Sequence, residues 1–332
     1  MTSLFVAVAS DIGAANAVAP VLGALRGRGH TVRLFASEGG KASQRFAELG
    51  LEFELAGESA VLPDGASALI SGISVPRLAE EVLAQQAYKR YVPLVCIEDL
   101  WGGHSRCTTP PALVLTVDDH GVSLVGARWP AVRACAVGFA GLFPLQPRAH
   151  VAEAFAEYRK RHGVKVVMFT DARVLYEPGL RLLMESVLAS KGRWHLLPSF
   201  HPRHRELLVP GTTSSLVGHW QNILMPLRRR GLVCNIDATG DEAAMLCDAT
   251  ASSFSSLLLR AALSGRKLFV VDTPEARANL LSGSNLSRNP LIAGGETPLT
   301  VPADLSTLPA SAGYRPHPID AKRCADEVLS IL

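Results

Sequence analysis

The chain has 332 residues and a mass of 35.4 kDa, more than one ordinary domain holds, so two domains are the natural prior. Hydrophobic residues at 48% against 19% charged suit a globular chain with sizeable cores, and a net charge of +3 gives no strong nucleic-acid or membrane-surface signal. No apolar run approaches the roughly 20 residues of a transmembrane segment.

The opening MTSLFVAVASDIG lacks the basic stretch of a secretion signal, so LFVAVAS (4–10) reads as a buried first strand. A helix follows from about Ala15 to Arg28, then the strand TVRLFAS (31–37) and a helix from about Lys41 to Leu49. The strands LEFELA (51–56) and ALISGI (68–73) lead to a helix starting near Pro76, where a missing N–H costs nothing. VPLVCIED (92–99), ALVLTVDD (112–119) and VRACAVG (132–138) complete the series. Continuous apolar strands separated by helices predict a parallel sheet covered on both faces, a Rossmann-like domain over 1–148.

GLFPLQPRAH (141–150) breaks this rhythm, and a helix over 151–161 opens a second Rossmann-like domain, 149–318. Its strands are VKVVMFT (164–170), WHLLPSF (194–200), GLVCNI (231–236), ATASS (249–253) and KLFVVD (267–272), with a helix from Pro178 to Ser190. The segment 278–318 is rich in Ser, Asn, Gly and Pro and reads as irregular loops. In the closing helix, 319–332, Ala321, Cys324, Ala325, Val328, Leu329 and Leu332 recur at helical spacing, an apolar stripe that needs a partner surface. The six cysteines are scattered, with no C-x-x-C pair, and several fall in apolar patterns; reduced core thiols and a cytoplasmic location are expected, and metal binding through them is not.

Doubly wound domains bind ligands at the carboxyl ends of their strands. In the first domain SDIGAAN (10–16) joins strand to helix: Gly13 with its small neighbours lets a ligand approach the backbone, while Asp11 or Asn16 can cap the helix or bind a hydroxyl. Glu98, Asp99, His104, Asp118, Asp119 and His120 cluster after two strands, where a carboxylate or imidazole can act as a base or serve as a cap. In the second domain Ser252, Ser253, Ser255 and Ser256 precede a helix that runs to Ser264. A helix start with unpaired N–H groups suits a phosphate, although serines also cap helices everywhere. Asp248, before the serine run, is expected to fix that loop. His201, between an apolar strand and Pro202, can donate to a phosphate or act as acid/base, or bond its own turn. Arg203, His204 and Arg205 add positive charge there.

These turns, in this order, resemble GT-B-type glycosyltransferases and non-hydrolysing nucleotide-sugar epimerases. SDIGAANAVAPVLGALRGRGHTVRLFAS is similar to their opening, and VPLVCIEDLWGGH (92–104) to the strand before the acceptor-side loop. ALVLTVDDHGVSLVGARWPAVRACAVGFAGL (112–142) resembles their strand, short helix and V-x-G strand end, SFHPRHRE (199–206) their H-P turn, and 237–272 their donor-binding core. The resemblance implies two Rossmann-like domains facing a central cleft and a C-terminal helix packing back toward the first. It implies a nucleotide-diphosphate sugar as donor partner, held by Gly13, His201, Arg203, Asp248, Ser252, Ser253, Ser255 and Ser256. The acceptor is unknown, and the base would come from Asp11, Asp99 or Asp118, with Asp11 preferred. No cofactor and no metal are expected, since such enzymes neutralise the leaving diphosphate with helix dipoles and basic side chains, even though Asp118 and Asp119 form a metal-like pair. A homo-oligomer is compatible with these features. Two departures bear on chemistry. Arg260 stands where the family has an acidic ribose contact, facing a phosphate or solvent, and Ser199 and Phe200 stand where a basic residue often precedes the H-P turn. Glycosyl transfer is the leading expectation, with epimerisation or binding without catalysis as alternatives.

Overall fold

Six apolar residues, Leu4–Ala9, form the first strand, β1, and its neighbours β2 (Thr31–Ser37) and β4 (Ala66–Gly72) run parallel to it on either side. The computed structural model describes residues 2–142, 145–200, 204, 206–309 and 313–332. By contacts the chain divides into two units, Met1–Phe143 with His317–Leu332, and Pro144–Pro316.

The first unit is built on a seven-stranded parallel sheet in the order β3-β2-β1-β4-β5-β6-β7, with β3 at Glu54–Ala56, β5 at Leu94–Ile97, β6 at Leu113–Thr116 and β7 at Arg133–Ala136. The strand order reverses between β1 and β4, the place where open sheets of this kind part their loops and make a crevice. Helix α1 (Ile12–Gly27) starts three residues before the expected Ala15, because Asp11 caps it: the Asp11 carboxylate accepts the Ala14 N–H at 2.8 Å. Its small face lets it approach the sheet closely; a Cβ at Gly72 of β4 would lie 2.5 Å from the Cβ of Ala14. Helix α2 is Ala42–Glu48, and α3 is Ala79–Lys89, three residues later than the start near Pro76 that its sequence suggests: the helix begins where the buried Glu80 carboxylate accepts the Leu78 N–H and the hydroxyls of Ser10 and Ser74. A 3₁₀ turn spans Gly103–Arg106, and α4 covers Asp119–Arg128. After β7, residues 137–139 run beside 317–320, with Phe139 N–H to His317 O at 2.8 Å and Asp320 N–H to Val137 O at 2.7 Å.

The second unit carries a five-stranded parallel sheet, β12-β11-β10-β8-β9, with β8 at Lys165–Phe169, β9 at Trp194–Pro198, β10 at Ala249–Ser252, β11 at Lys267–Val271 and β12 at Pro298–Leu299. Its order reverses between β8 and β10. Around it lie α5 (Ala149–His162), α6 (Arg173–Ala189), α7 (Leu216–Ile223), α8 (Met225–Arg228), α9 (Gly240–Leu246) and α10 (Ser256–Leu263). Three sequence readings need correction. The helix expected from Pro178 starts five residues earlier, at Arg173, with Pro178 inside it. Residues 231–236 form no strand and meet β9 only by an isolated bridge at Val233. Residues 278–318, read as loops, contain most of α11 (Pro274–Ser284), α12 (Pro290–Ala293) and β12; Thr273 and Asn289 cap the two helices with proline at the first turn. Helix α13, Ala321–Leu329, closes the chain in the first unit, and Cys324, Ala325 and Val328 are buried in the same core as α1. All six cysteines are free and buried. Among the described residues no helix is long and apolar enough to cross a membrane.

Candidate functional site

In the first unit the candidate side chains sit at the carboxyl ends of β1, β4, β5 and β6, around the reversal of strand order. Beneath them lies a buried carboxylate: Glu80 receives the hydroxyls of Ser10, after β1, and Ser74, after β4, and lies against the hydroxyl of Ser37, at the end of β2. The Ser74 oxygen accepts the backbone N–H groups of Ser10 and Asp11, both at 3.0 Å, so this cluster fixes where Asp11 stands. Asp11 then uses both of its oxygens on backbone donors, Ala14 at 2.8 Å and Val75 at 2.9 Å.

Asp99, two residues past the end of β5, lies beside it. A Cβ built on Gly13 would come within 2.4 Å of the Asp99 Oδ2, so the carboxyl rests on the first turn of α1, in space that only glycine leaves. Burial, followed by the charge of Asp11, pushes the Asp99 pKa up to about 6. The loop that carries Asp99 is clamped from below by Glu98, which is fully buried and accepts the backbone N–H of His104 at 2.7 Å and pairs with its Nδ1 at 2.8 Å. Asp118 belongs to the same edge but acts as a cap: its Oδ1 receives the Gly121 N–H and the Trp101 indole N–H, both at 2.9 Å. Asp119 and His120 are exposed on the first turn of α4.

In the second unit the corresponding edge has a buried pair that the sequence reading missed. Asp171, two residues after β8, receives the Ser253 backbone N–H at 2.9 Å and the Ser253 hydroxyl at 2.6 Å. This bond crosses the β8–β10 reversal, and burial raises the Asp171 pKa to about 6 against the pull of the two Ser253 donors. Asn289, also buried, donates to the Ser253 carbonyl at 2.6 Å, and Asp272 after β11 is held by Arg277 and Arg288. The available signal was repetition: Ser10-Asp11 ends the first strand of one unit, and Thr170-Asp171 ends that of the other.

The serine run separates into two roles. Ser252 and Ser253 are fully buried; Ser253 is committed to Asp171, whereas the Ser252 hydroxyl has no hydrogen-bond partner among the described residues. Ser255 caps α10 by accepting the Leu257 N–H at 3.2 Å, and Ser256, the first helical residue, is exposed. Asp248 stands at the opposite, amino-terminal end of β10, where it receives the Val166 N–H at 2.9 Å and pairs with Arg159 at 3.0 Å; it ties α5 to the sheet and is not part of this edge. Arg260 is not solvated. It is buried and paired with Asp241 of α9 at 2.9 Å, an ion pair that locks α9 to α10 and explains the departure from an acidic residue in structural terms. Ser199 accepts the Tyr176 hydroxyl at its carbonyl, and Phe200 stacks with Trp220, so both serve the core behind the strand end. His201 and Arg203 lie outside the described residues.

No protein-family model and no curated protein matches this sequence. Solved structures do match its fold. A UDP-GlcNAc 2-epimerase from Neisseria meningitidis, bound to UDP-GlcNAc, is similar with a TM-score of 0.60 at 13% identity over 100% of this chain and 99% of that one. A putative UDP-N-acetylglucosamine 2-epimerase from Listeria monocytogenes gives 0.63 at 9% identity, over 99% and 95% of the two chains. HepE from Anabaena, in complex with UDP, gives 0.57 at 13% identity over 100% of both. The structural neighbours comprise UDP-GlcNAc 2-epimerases and GT-B glycosyltransferases, and at such identities the likeness establishes the fold: α/β, of GT-B type, over the whole chain.

Proposed function

We propose that this chain is a nucleotide-sugar enzyme that transfers a sugar from a nucleotide-diphosphate donor to an acceptor hydroxyl, with Asp99 as the base. The observation that carries the reading is the Asp99 carboxyl, partly enclosed at the ligand edge of a doubly wound sheet, with its pKa raised to about 6. A base poised there is ionised at neutral pH yet basic enough to take a proton in the transition state. In the reaction the acceptor O–H proton passes to Asp99, the acceptor oxygen bonds to the anomeric carbon, and the bond to the diphosphate breaks. Asp11 is the weaker candidate, because both of its oxygens already hold backbone N–H groups.

The donor is assigned to the second unit, at the first turn of α10. The exposed Ser256 hydroxyl and the positive helix end favour a diphosphate there, which is the support for transfer without a required metal. The paired carboxylates of Asp11 and Asp99 also favour a second reading, epimerisation, in which one acidic group removes a proton from the sugar and another returns it. Incubation with a panel of UDP-sugars, with and without acceptors, separates the readings. Free nucleotide formed only with acceptor supports transfer; an interconverted sugar without acceptor supports epimerisation. Binding without turnover of any donor would leave a non-catalytic binder and overturn the proposal. Activity lost with EDTA and restored by a divalent cation would overturn the metal-independent part.

A further inference from the structure

Two cysteines lie against one another in the first unit, outside the residues assigned to the reaction. Cys96, inside β5, and Cys107, directly after the 3₁₀ turn, have their Sγ atoms 3.8 Å apart, and both are buried. Arg77, whose side chain is only 6% exposed, is close enough for its charge to act on both thiols. None of its three guanidinium nitrogens makes a hydrogen bond among the described residues, and the nearest carboxylate oxygen, Glu81 Oε2, is 3.4 Å from Nη1. A buried cation with idle donors is costly unless an anion comes to it. We infer that Cys96 and Cys107 form an oxidisable dithiol, with Arg77 stabilising the thiolate of Cys107, that closes to a disulfide on reaction with a small-molecule disulfide.

The chemistry needs no group beyond that oxidant. The Cys107 thiolate attacks one sulfur of the oxidant, forming a mixed disulfide and expelling one thiolate. The Cys96 sulfur then attacks Cys107 Sγ, and its proton leaves with the second equivalent of small-molecule thiol. The protein is oxidised by two electrons as the oxidant is reduced to two thiols. Hydrogen bonding from Cys96 and the charge of Arg77 hold the Cys107 thiol below its ordinary value, against burial and the charges of Glu98 and Glu81, and this is the direction that supplies the attacking anion. Closure must bring the sulfurs to about 2.05 Å, and the ring so formed encloses residues 97–106. Those residues include Glu98, Asp99, Trp101 and His104, so the crosslink draws in the base of the loop on which Asp99 stands.

The test uses the full-length protein in graded ratios of oxidised to reduced glutathione, followed by alkylation and peptide mapping under non-reducing conditions. A peptide joining Cys96 to Cys107, formed reversibly while near-ultraviolet circular dichroism stays native, is the expected result. Replacing Arg77 with Met is expected to slow closure about tenfold at pH 7, as the thiolate fraction falls. Should Arg77→Met fail to fold, the pH dependence of closure in the parent chain takes its place: a rate half-maximal below the range of an ordinary thiol supports the thiolate, and one at or above that range overturns the inference. A pair that stays reduced under conditions that oxidise free glutathione-type thiols, or crosslinks confined to Cys135, Cys234, Cys247 or Cys324, would overturn the inference. So would a closure rate identical in Arg77→Met.

Discussion

Asp99 and Gly13 act as one feature, because the carboxyl of one rests on the backbone of the other. The folded-state pKa of Asp99, about 6, lies above the ordinary value of 3.8, so between those values the folded chain binds more protons than the unfolded chain. Stability from this group is therefore greatest at low pH and falls as the pH rises through about 4 to 6. Asp99→Asn removes the penalty of a charged carboxyl beside Asp11. The variant is expected to gain about 1–2 kcal/mol above pH 6.5, after allowance for solvent screening at a partly exposed group, and to gain nothing below pH 4. Urea melts across that range check it; a gain independent of pH would mean that Asp99 is not titrating there. The same variant should lose turnover by at least about a hundredfold, and the acidic limb of the wild-type pH–rate profile, centred near 6, should vanish with it. Gly13→Ala makes the complementary test. The added methyl meets the end of a single side chain, and alanine suits a helical turn, so stability should change by less than about 1 kcal/mol. Displacement of the carboxyl should still lower kcat about tenfold or more; unchanged kcat would dissociate Asp99 from the chemistry.

At the scale of elements, the first turn of α10 is the place where helix and ligand chemistry meet. Ser255 supplies the cap and Ser256 an exposed hydroxyl, so changing both to Ala should cost about 1 kcal/mol of stability through the lost cap. It should also weaken UDP binding about tenfold by calorimetry, whereas Ser255→Gly, which keeps the cap's backbone freedom, should cost only a few tenths in stability. Equal UDP affinity in the double variant and the parent would move the nucleotide elsewhere. Strands were the most legible elements: TVRLFAS is β2 residue for residue, its last four residues buried behind a more exposed start. The misses have different causes, one a matter of tertiary pairing and the other of local caps. Residues 231–236 have strand composition yet find only one bridge beside β9, and α11 and α12 form in a Gly- and Ser-rich stretch because Thr273 and Asn289 cap them. At the site, Asp99 and Gly13 were legible as residues, but their contact was not, since it joins turns 86 positions apart. Asp248 was misplaced for a simpler reason: the sequence shows that it adjoins a strand, and the direction of the strand relative to the ligand edge comes only from the sheet. Arg260 reads as a surface residue from its charge, and only the facing Asp241 reveals why it is buried.

At the scale of the molecule, the chain leaves the first unit after Phe143 and returns to it at His317, so that unit is completed last. Residues 317–320 add backbone bonds alongside 137–139, and α13 lays Cys324, Ala325 and Val328 into the core that also contains Val18, Leu22 and Leu25 of α1. Arg28 of the segment after α1 pairs with Asp326 at 2.7 Å, and Arg133 of β7 bonds Ser330, but these bonds are exposed and contribute little. The apolar contact decides: uncovering these side chains forfeits about 25 cal/mol for each Å² returned to water and leaves the outer face of α1 without a partner. A chain ending at Pro316 is therefore expected to lose the first unit selectively. Hydrogen exchange should show amides of β1, β2 and α1 opened to near the unfolded rate, while β8, β10 and β11 of the second unit stay protected. The milder Val328→Ala should lower the stability of the first unit by about 1–3 kcal/mol and leave exchange in the second unit unaltered. Loss of protection spread evenly over both units in the truncated chain would show that the two sheets unfold together, and that the helix supports the whole chain and not one unit of it.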